Sequence, residues 1–157
     1  MKPYPIQLLS KIASWARNEK SISSLAIVGS YAIGTQTETS DLDIVVVSKK
    51  KETLLLNRNW TNLFGKKVKE EIENWGMLTS IRVWYIDIGE VEFGLVPHEW
   101  VRVPSNEGTT RVVNDGMHVV YDPGGELLKL KDHCNKIMQN KAVDGTKRCS
   151  ASRSPSP

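Results

Sequence analysis

The sequence predicts an α+β domain, a small β-sheet packed against amphipathic helices. Three observations lead there. Residues 5–18 carry apolar side chains at helical spacing, residues 25–28 and 41–47 are largely apolar runs of strand length, and residues 80–97 crowd β-branched and aromatic side chains around one central glycine.

In the first helix Leu8, Leu9, Ile12, Ala13, Trp15 and Ala16 form one apolar face, with Lys11, Arg17 and Asn18 outside it. Ser21–Ser24 breaks that pattern. A buried strand, Leu25–Val28, then runs into Gly29-Ser30, a polar loop and a second buried strand, Asp41–Val47. Lys49, Lys50 and Lys51 mark an exposed turn. Residues 50–64 read as a short helix, with Leu54 and Leu55 inward, Trp60 and Leu63 near its end, and Gly65 as its stop. Val68, Ile72 and Trp75 stand at i, i+4 and i+7, which predicts a further amphipathic helix over residues 66–75 ended by Gly76. Residues 80–97 predict two strands joined by a tight turn at Gly89, with Val91, Phe93 and Leu95 on one face and Glu92, Gly94 and Val96 on the other. A loop follows at His98-Glu99-Trp100. Residues 105–117 read as a capped helix ending at Asp115-Gly116, residues 118–122 as a strand, and residues 126–138 as a last helix with Leu127, Leu128, Leu130, Cys134 and Ile137 inward.

A length of 157 residues suits one domain, assigned to residues 1–139. Residues 140–157 have almost no apolar content and end in repeated Ser-Pro, so disorder is expected there. Lys141, Lys147, Arg148 and Arg153 against Asp144 account for the whole net charge of +3, which leaves the rest of the chain neutral. A neutral folded part disfavours a nucleic-acid partner. No apolar run approaches a membrane span, and the N-terminus lacks a secretory pattern. Cys134 and Cys149 fit neither a disulfide framework nor a zinc site, so a cytoplasmic protein is expected.

The chemistry concentrates in residues 25–48. On a strand Asp41 and Asp43 share one face, while Leu42 and Ile44 take the other. Two adjacent carboxylates repel unless a cation lies between them, and Mg2+, which bridges carboxylates to substrate phosphates, suits that place. Gly29 allows a close backbone approach. The Ser30 hydroxyl and the N–H groups after it can hold phosphate oxygens if Ser30-Tyr31-Ala32 opens a helical turn. Together these features describe a site for a metal-bound triphosphate.

The stretch GSYAIGTQTETSDLDI, a Gly-Ser, ten-residue spacer and Asp-x-Asp between two strands, resembles the signature of the DNA polymerase beta-like nucleotidyltransferase superfamily. It is most similar to the small stand-alone domains, which include minimal nucleotidyltransferases and aminoglycoside adenylyltransferases. The resemblance implies a small mixed sheet with helices on one face, the polymerase beta palm-like arrangement. It also implies a third carboxylate on a later strand. VEFG resembles that element and carries the role onto Glu92, with Asp87 and Glu90 as rivals in the same hairpin and a solvated strand edge as the plain alternative.

The activity implied is transfer of a nucleoside monophosphate from an NTP, ATP by preference, to an acceptor hydroxyl with release of pyrophosphate. Asp41, Asp43 and Glu92 would be the catalytic and metal-holding acids for two Mg2+ ions, and Gly29, Ser30, Thr35 and Ser40 would bind the nucleotide. One departure stands out: many members have an arginine before the second glycine of the motif, where this chain has Ile33 before Gly34. Aminoglycoside adenylyltransferases also add a helical domain to complete the substrate pocket, which a homodimer could supply here. The acceptor, a small molecule or a protein, stays open. The other class implied is an antitoxin-type or degenerate domain that acts by binding a small helical partner protein.

Overall fold

The computed structural model describes residues 6–37, 40–103 and 105–137. The expected tail at 140–157, with Cys149, lies outside them. Six strands form one sheet: β1 (Ile22–Val28), β2 (Leu42–Ser48), β3 (Lys67–Trp75), β4 (Leu78–Tyr85), β5 (Gly89–Val96) and β6 (Met117–Tyr121). Their order across the sheet is β3-β4-β5-β2-β1-β6, with β2 and β5 parallel and the other neighbours antiparallel. The helices are α1 (Ile6–Asn18), α2 (Ser30–Ile33), α3 (Lys51–Leu56), α4 (Glu107–Asn114) and a last one, α5, over residues 126–137. The fold is thus the expected α+β arrangement around a mixed sheet.

Alternation along the strands divides the interior in two. Leu42, Ile44 and Val46 of β2 join Val91, Phe93 and Leu95 of β5 in a core covered by Leu8, Leu9, Ile12 and Ala16 of α1. On that side Trp15 stacks on Trp60 with ring centroids 4.6 Å apart, and Phe93 meets Trp60 edge-on at 5.1 Å and Phe64 at 5.7 Å. Val45, Val47 and Val96 point the other way, onto Trp100, Val113 of α4, and Leu127, Leu130 and Cys134 of α5. Helices therefore cover both faces rather than one, and the acids described below share their face with α4 and α5. Leu128, expected inward, is exposed.

One segment differs in kind. Residues 66–75 are not a helix: β3 pairs with β4 from Lys67 to Trp75 and closes the sheet at its edge. The three residues that suggested a helical stripe are turned largely to solvent, Val68 at 64%, Ile72 at 43% and Trp75 at 65% exposure. An apolar set that covers no core gives no helix period to obey, and pairing with β4 decides the outcome. Gly76 (φ 75°) is not a helix stop but the first residue of the two-residue turn into β4. The helix expected over 50–64 is shorter as well. It ends at Leu56, and a 3-10 turn over Asn59–Leu63 buries Trp60 and leaves Leu63 exposed.

Edge strand β3 is fastened by charge. The Glu70 carboxylate takes hydrogen bonds from Arg58 and from Lys67 (2.7 Å). Burial pushes Glu70 up, but these two partners outweigh it and hold the carboxyl below its ordinary value of 4.5. A lowered folded-state pKa gives stability that is present above 4.5 and lost as pH falls through the lower value. Glu70→Gln is therefore expected to be less stable than the parent at neutral pH, with the difference shrinking on acidification, as urea midpoints at a series of pH values would show.

Candidate active site

The turn after β1 brings the glycine motif against the acids. Val28 pairs with Asp43, so Gly29 leaves the sheet directly over the Asp43 carboxylate. Gly29 has φ 76°, and a Cβ there would stand 2.6 Å from Asp43 Oδ2, so two independent constraints require glycine. Gly34, at φ 74°, closes α2 with nothing within 4 Å of where its Cβ would be. That contrast sets up a test. Gly29→Ala and Gly34→Ala should each lose about 1–2 kcal/mol to left-handed strain in urea melts. Only Gly29→Ala should also displace the Asp43 carboxylate and weaken Mg2+ binding in a calorimetric titration.

β2 carries Asp43 and is preceded by Asp41, while parallel β5 carries Glu92 in direct register with Asp43. Carboxylate oxygens from Asp41, Asp43 and Glu92 all lie within 4.8 Å of one another. Glu92 is held in place by the Ser80 hydroxyl, which donates to it at 2.7 Å, and by Arg82 Nη2 at 3.3 Å, both from β4. Asp43 Oδ1 is buried with no partner among the described residues. Burial, with a hydrogen bond and repulsion from Asp41 and further repulsion from Glu92, pushes the Asp43 carboxyl up to about 9. A buried carboxylate oxygen without a donor, amid like charges and all-oxygen ligands, fits a hard divalent cation of the Mg2+ type.

The rivals in the hairpin separate. Asp87 is exposed in the turn between β4 and β5, away from the sheet pairing. Glu90 lies within β5 on the Glu92 face, paired to Arg82 Nε at 3.1 Å. Burial and the neighbouring Asp41 charge hold Glu90 above the usual carboxylate range despite Arg82. The cluster therefore has four acids, two of which, Glu90 and Glu92, pair with the Arg82 guanidinium.

The remaining predicted residues lie on the loop. Ser30 opens α2, and its hydroxyl has no hydrogen-bond partner among the described residues. Thr35 is exposed and turns its N–H (3.0 Å) and hydroxyl (3.5 Å) onto the Ser30 carbonyl. The Ser40 hydroxyl accepts from the Thr37 N–H at 2.8 Å, so it closes the loop on itself. Ile33, the departure from the motif, lies against Gly116 at the start of β6. Ser80 and Arg82 escaped the sequence reading, because only the register of β4 on β5 puts Arg82 opposite Glu92.

A cleft of about 630 Å³ runs from Asp43 and Glu92 across Val45 and Gly94, between the β3–β4 turn and α4. Carboxylates converging from two parallel neighbours, with a glycine turn above them, form an acidic cluster of the kind that can hold a metal ion. The chain belongs to the nucleotidyltransferase domain family, which it matches over residues 9–101. No curated protein matches it in sequence. Among solved structures it is similar to an aminoglycoside 6-adenyltransferase from Bacillus subtilis (17% identity over 59% of this chain and 36% of that one, TM-score 0.47). It is also similar to a nucleotidyltransferase-like protein from Exiguobacterium sibiricum 255-15 (14% identity, 82% and 38%, TM-score 0.44) and to Cid1 in complex with its short product ApU (14% identity, 57% and 31%, TM-score 0.36). The chain spans less than two fifths of the length of each. Among the described residues no helix is long and apolar enough to cross a membrane.

Proposed function

We propose that this chain transfers a nucleoside monophosphate from an NTP, ATP by preference, to an acceptor hydroxyl, releasing pyrophosphate, in the cytoplasm. The observation that carries this reading is the convergence of Asp41, Asp43 and Glu92 within 4.8 Å around a buried, unpartnered Asp43 oxygen. Asp41, Asp43 and Glu92 would hold Mg2+, which when bound supplies positive charge to the reacting phosphate and acidifies the acceptor hydroxyl. Gly29 and Ser30 receive the phosphates, with Thr35 and Ser40 shaping the loop between them and the acids. Glu92, fixed by Ser80 and Arg82, orients the acceptor hydroxyl and can accept its proton.

The test is calorimetric binding of ATP with Mg2+, together with pyrophosphate release in the presence of candidate acceptors. Binding that requires Mg2+ and falls in Asp41→Asn supports the reading. Binding indifferent to EDTA and to that substitution overturns it.

A further inference from the structure

The cleft beside the acids has a lining that suggests what it accepts. Its floor beyond Glu92 is Gly94, where a Cβ would crowd the Leu78 side chain at 3.2 Å, so the surface next to the acid stays bare. One wall is the β3–β4 turn with Trp75 and Met77, tied down by Lys51 Nζ donating to the Met77 carbonyl at 2.7 Å. The other is α4, which presents Thr109, Arg111 and Val112. Two polar groups there lack partners. Thr109 is only 1% exposed, and its Oγ1 is buried without a hydrogen bond. Arg111 is exposed at the rim and makes no ion pair among the described residues. A buried hydroxyl left unpaired in a native structure calls for a partner. An indole turned 65% to solvent beside an open cleft offers a flat stacking surface.

We propose that this cleft is the acceptor site and that it takes a planar, largely apolar hydroxy compound bearing one acidic group, an aromatic hydroxy acid. The inference rests on the nucleotidyl-transfer reading and adds the class of acceptor. The ring stacks on Trp75 over Gly94 and Val45, the acid meets Arg111, and Thr109 supplies a hydrogen bond. The hydroxyl oxygen forms a bond to the α-phosphorus of the nucleoside triphosphate while the bond from that phosphorus to the β-phosphate oxygen breaks. Pyrophosphate leaves with the electron pair, and the hydroxyl proton passes to Glu92. The strand register carries Gly94 away from Asp43 and Glu92 in the direction opposite to Gly29, which lines the same cleft beside Asp43. The lining is mostly apolar, with Arg111 as its basic side chain beside the acids Asp43, Glu92 and Asp115.

The experiment is equilibrium dialysis of para-coumarate, a planar phenol carrying a carboxylate, against the full chain without nucleotide or metal. Saturable binding is expected, weakened tenfold or more by Trp75→Ala and by Arg111→Ala and retained by Trp75→Tyr. Both targets are exposed, and circular dichroism of each variant checks that it is folded. Absence of saturable binding at millimolar para-coumarate, binding that both alanine variants leave within twofold, or displacement by ATP overturns the proposal, the last by making the cleft a base pocket. Mg2+–ATP binding is measured in parallel on the unsubstituted chain. If Mg2+–ATP binds and para-coumarate does not, this inference falls and the nucleotidyl-transfer reading stands. If para-coumarate binds and Mg2+–ATP does not, that reading falls and takes the acceptor role with it.

Discussion

Replacing Asp43 by Asn should lower nucleotidyl transfer on the order of a thousandfold, the scale of losing one preorganised charge at a reacting phosphate. It should also abolish saturable Mg2+ binding in calorimetry. Asp43 is singled out because it touches every other part of the site: Gly29 lies over it, Glu92 is its register partner, and Asp41 crowds it from two residues away. The same substitution should help the metal-free protein. Asp43 has its folded-state carboxyl pushed up to about 9 from 3.8, so the stability it gives is full below 3.8 and lost as pH rises toward 9. An amide cannot ionise and escapes that loss. In EDTA, thermal midpoints of Asp43→Asn and the parent should converge in acid, and the variant should lead at neutral and alkaline pH. A variant less stable than the parent in EDTA at neutral pH would show that the carboxylates are not under mutual strain.

The largest effect on stability is expected from Trp60→Ala, about 3–5 kcal/mol, the range for deleting a large buried aromatic side chain. Trp60 lies in the core on the α1 side of the sheet. It stacks on Trp15 from α1, meets Phe93 from β5 edge-on, and donates its indole N–H to the Leu54 carbonyl at 3.0 Å. Removing it leaves three elements without their common neighbour and a buried carbonyl without its donor. A loss of that size is a large share of the roughly 5–15 kcal/mol that holds a domain together, so urea unfolding should move to much lower midpoints. Trp60→Phe keeps most of the stacking and loses the hydrogen bond, and about 1–2 kcal/mol is the expected cost.

Much of this arrangement could be read from the chain. Asp41, Asp43, Gly29 and Ser30 are close in sequence, and strand alternation alone puts both aspartates on one side. Alternation leaves Glu92 on the face opposite Val91, Phe93 and Leu95, but its role is implied by the resemblance of VEFG to the family's third acid. What escaped depends on contacts between distant segments. Val68, Ile72 and Trp75 have a helical period, yet an edge strand that buries little leaves its apolar residues without the pattern that would identify it. Asp87 and Glu90, rivals in one hairpin, are told apart only by where the turn falls: it takes up residues 86–88, which puts Glu90 inside β5. Ser80 and Arg82 gain meaning only from the pairing of β4 with β5.

The parallel register of β2 on β5 has one more consequence. Residues 49–88 must be organised before Asp43 and Glu92 can become neighbours, since parallel strands are joined by a long crossover rather than a tight turn. Until that docking step the chain carries its acids dispersed in water, where they cost little. The electrostatic burden of the site is thus confined to the finished structure.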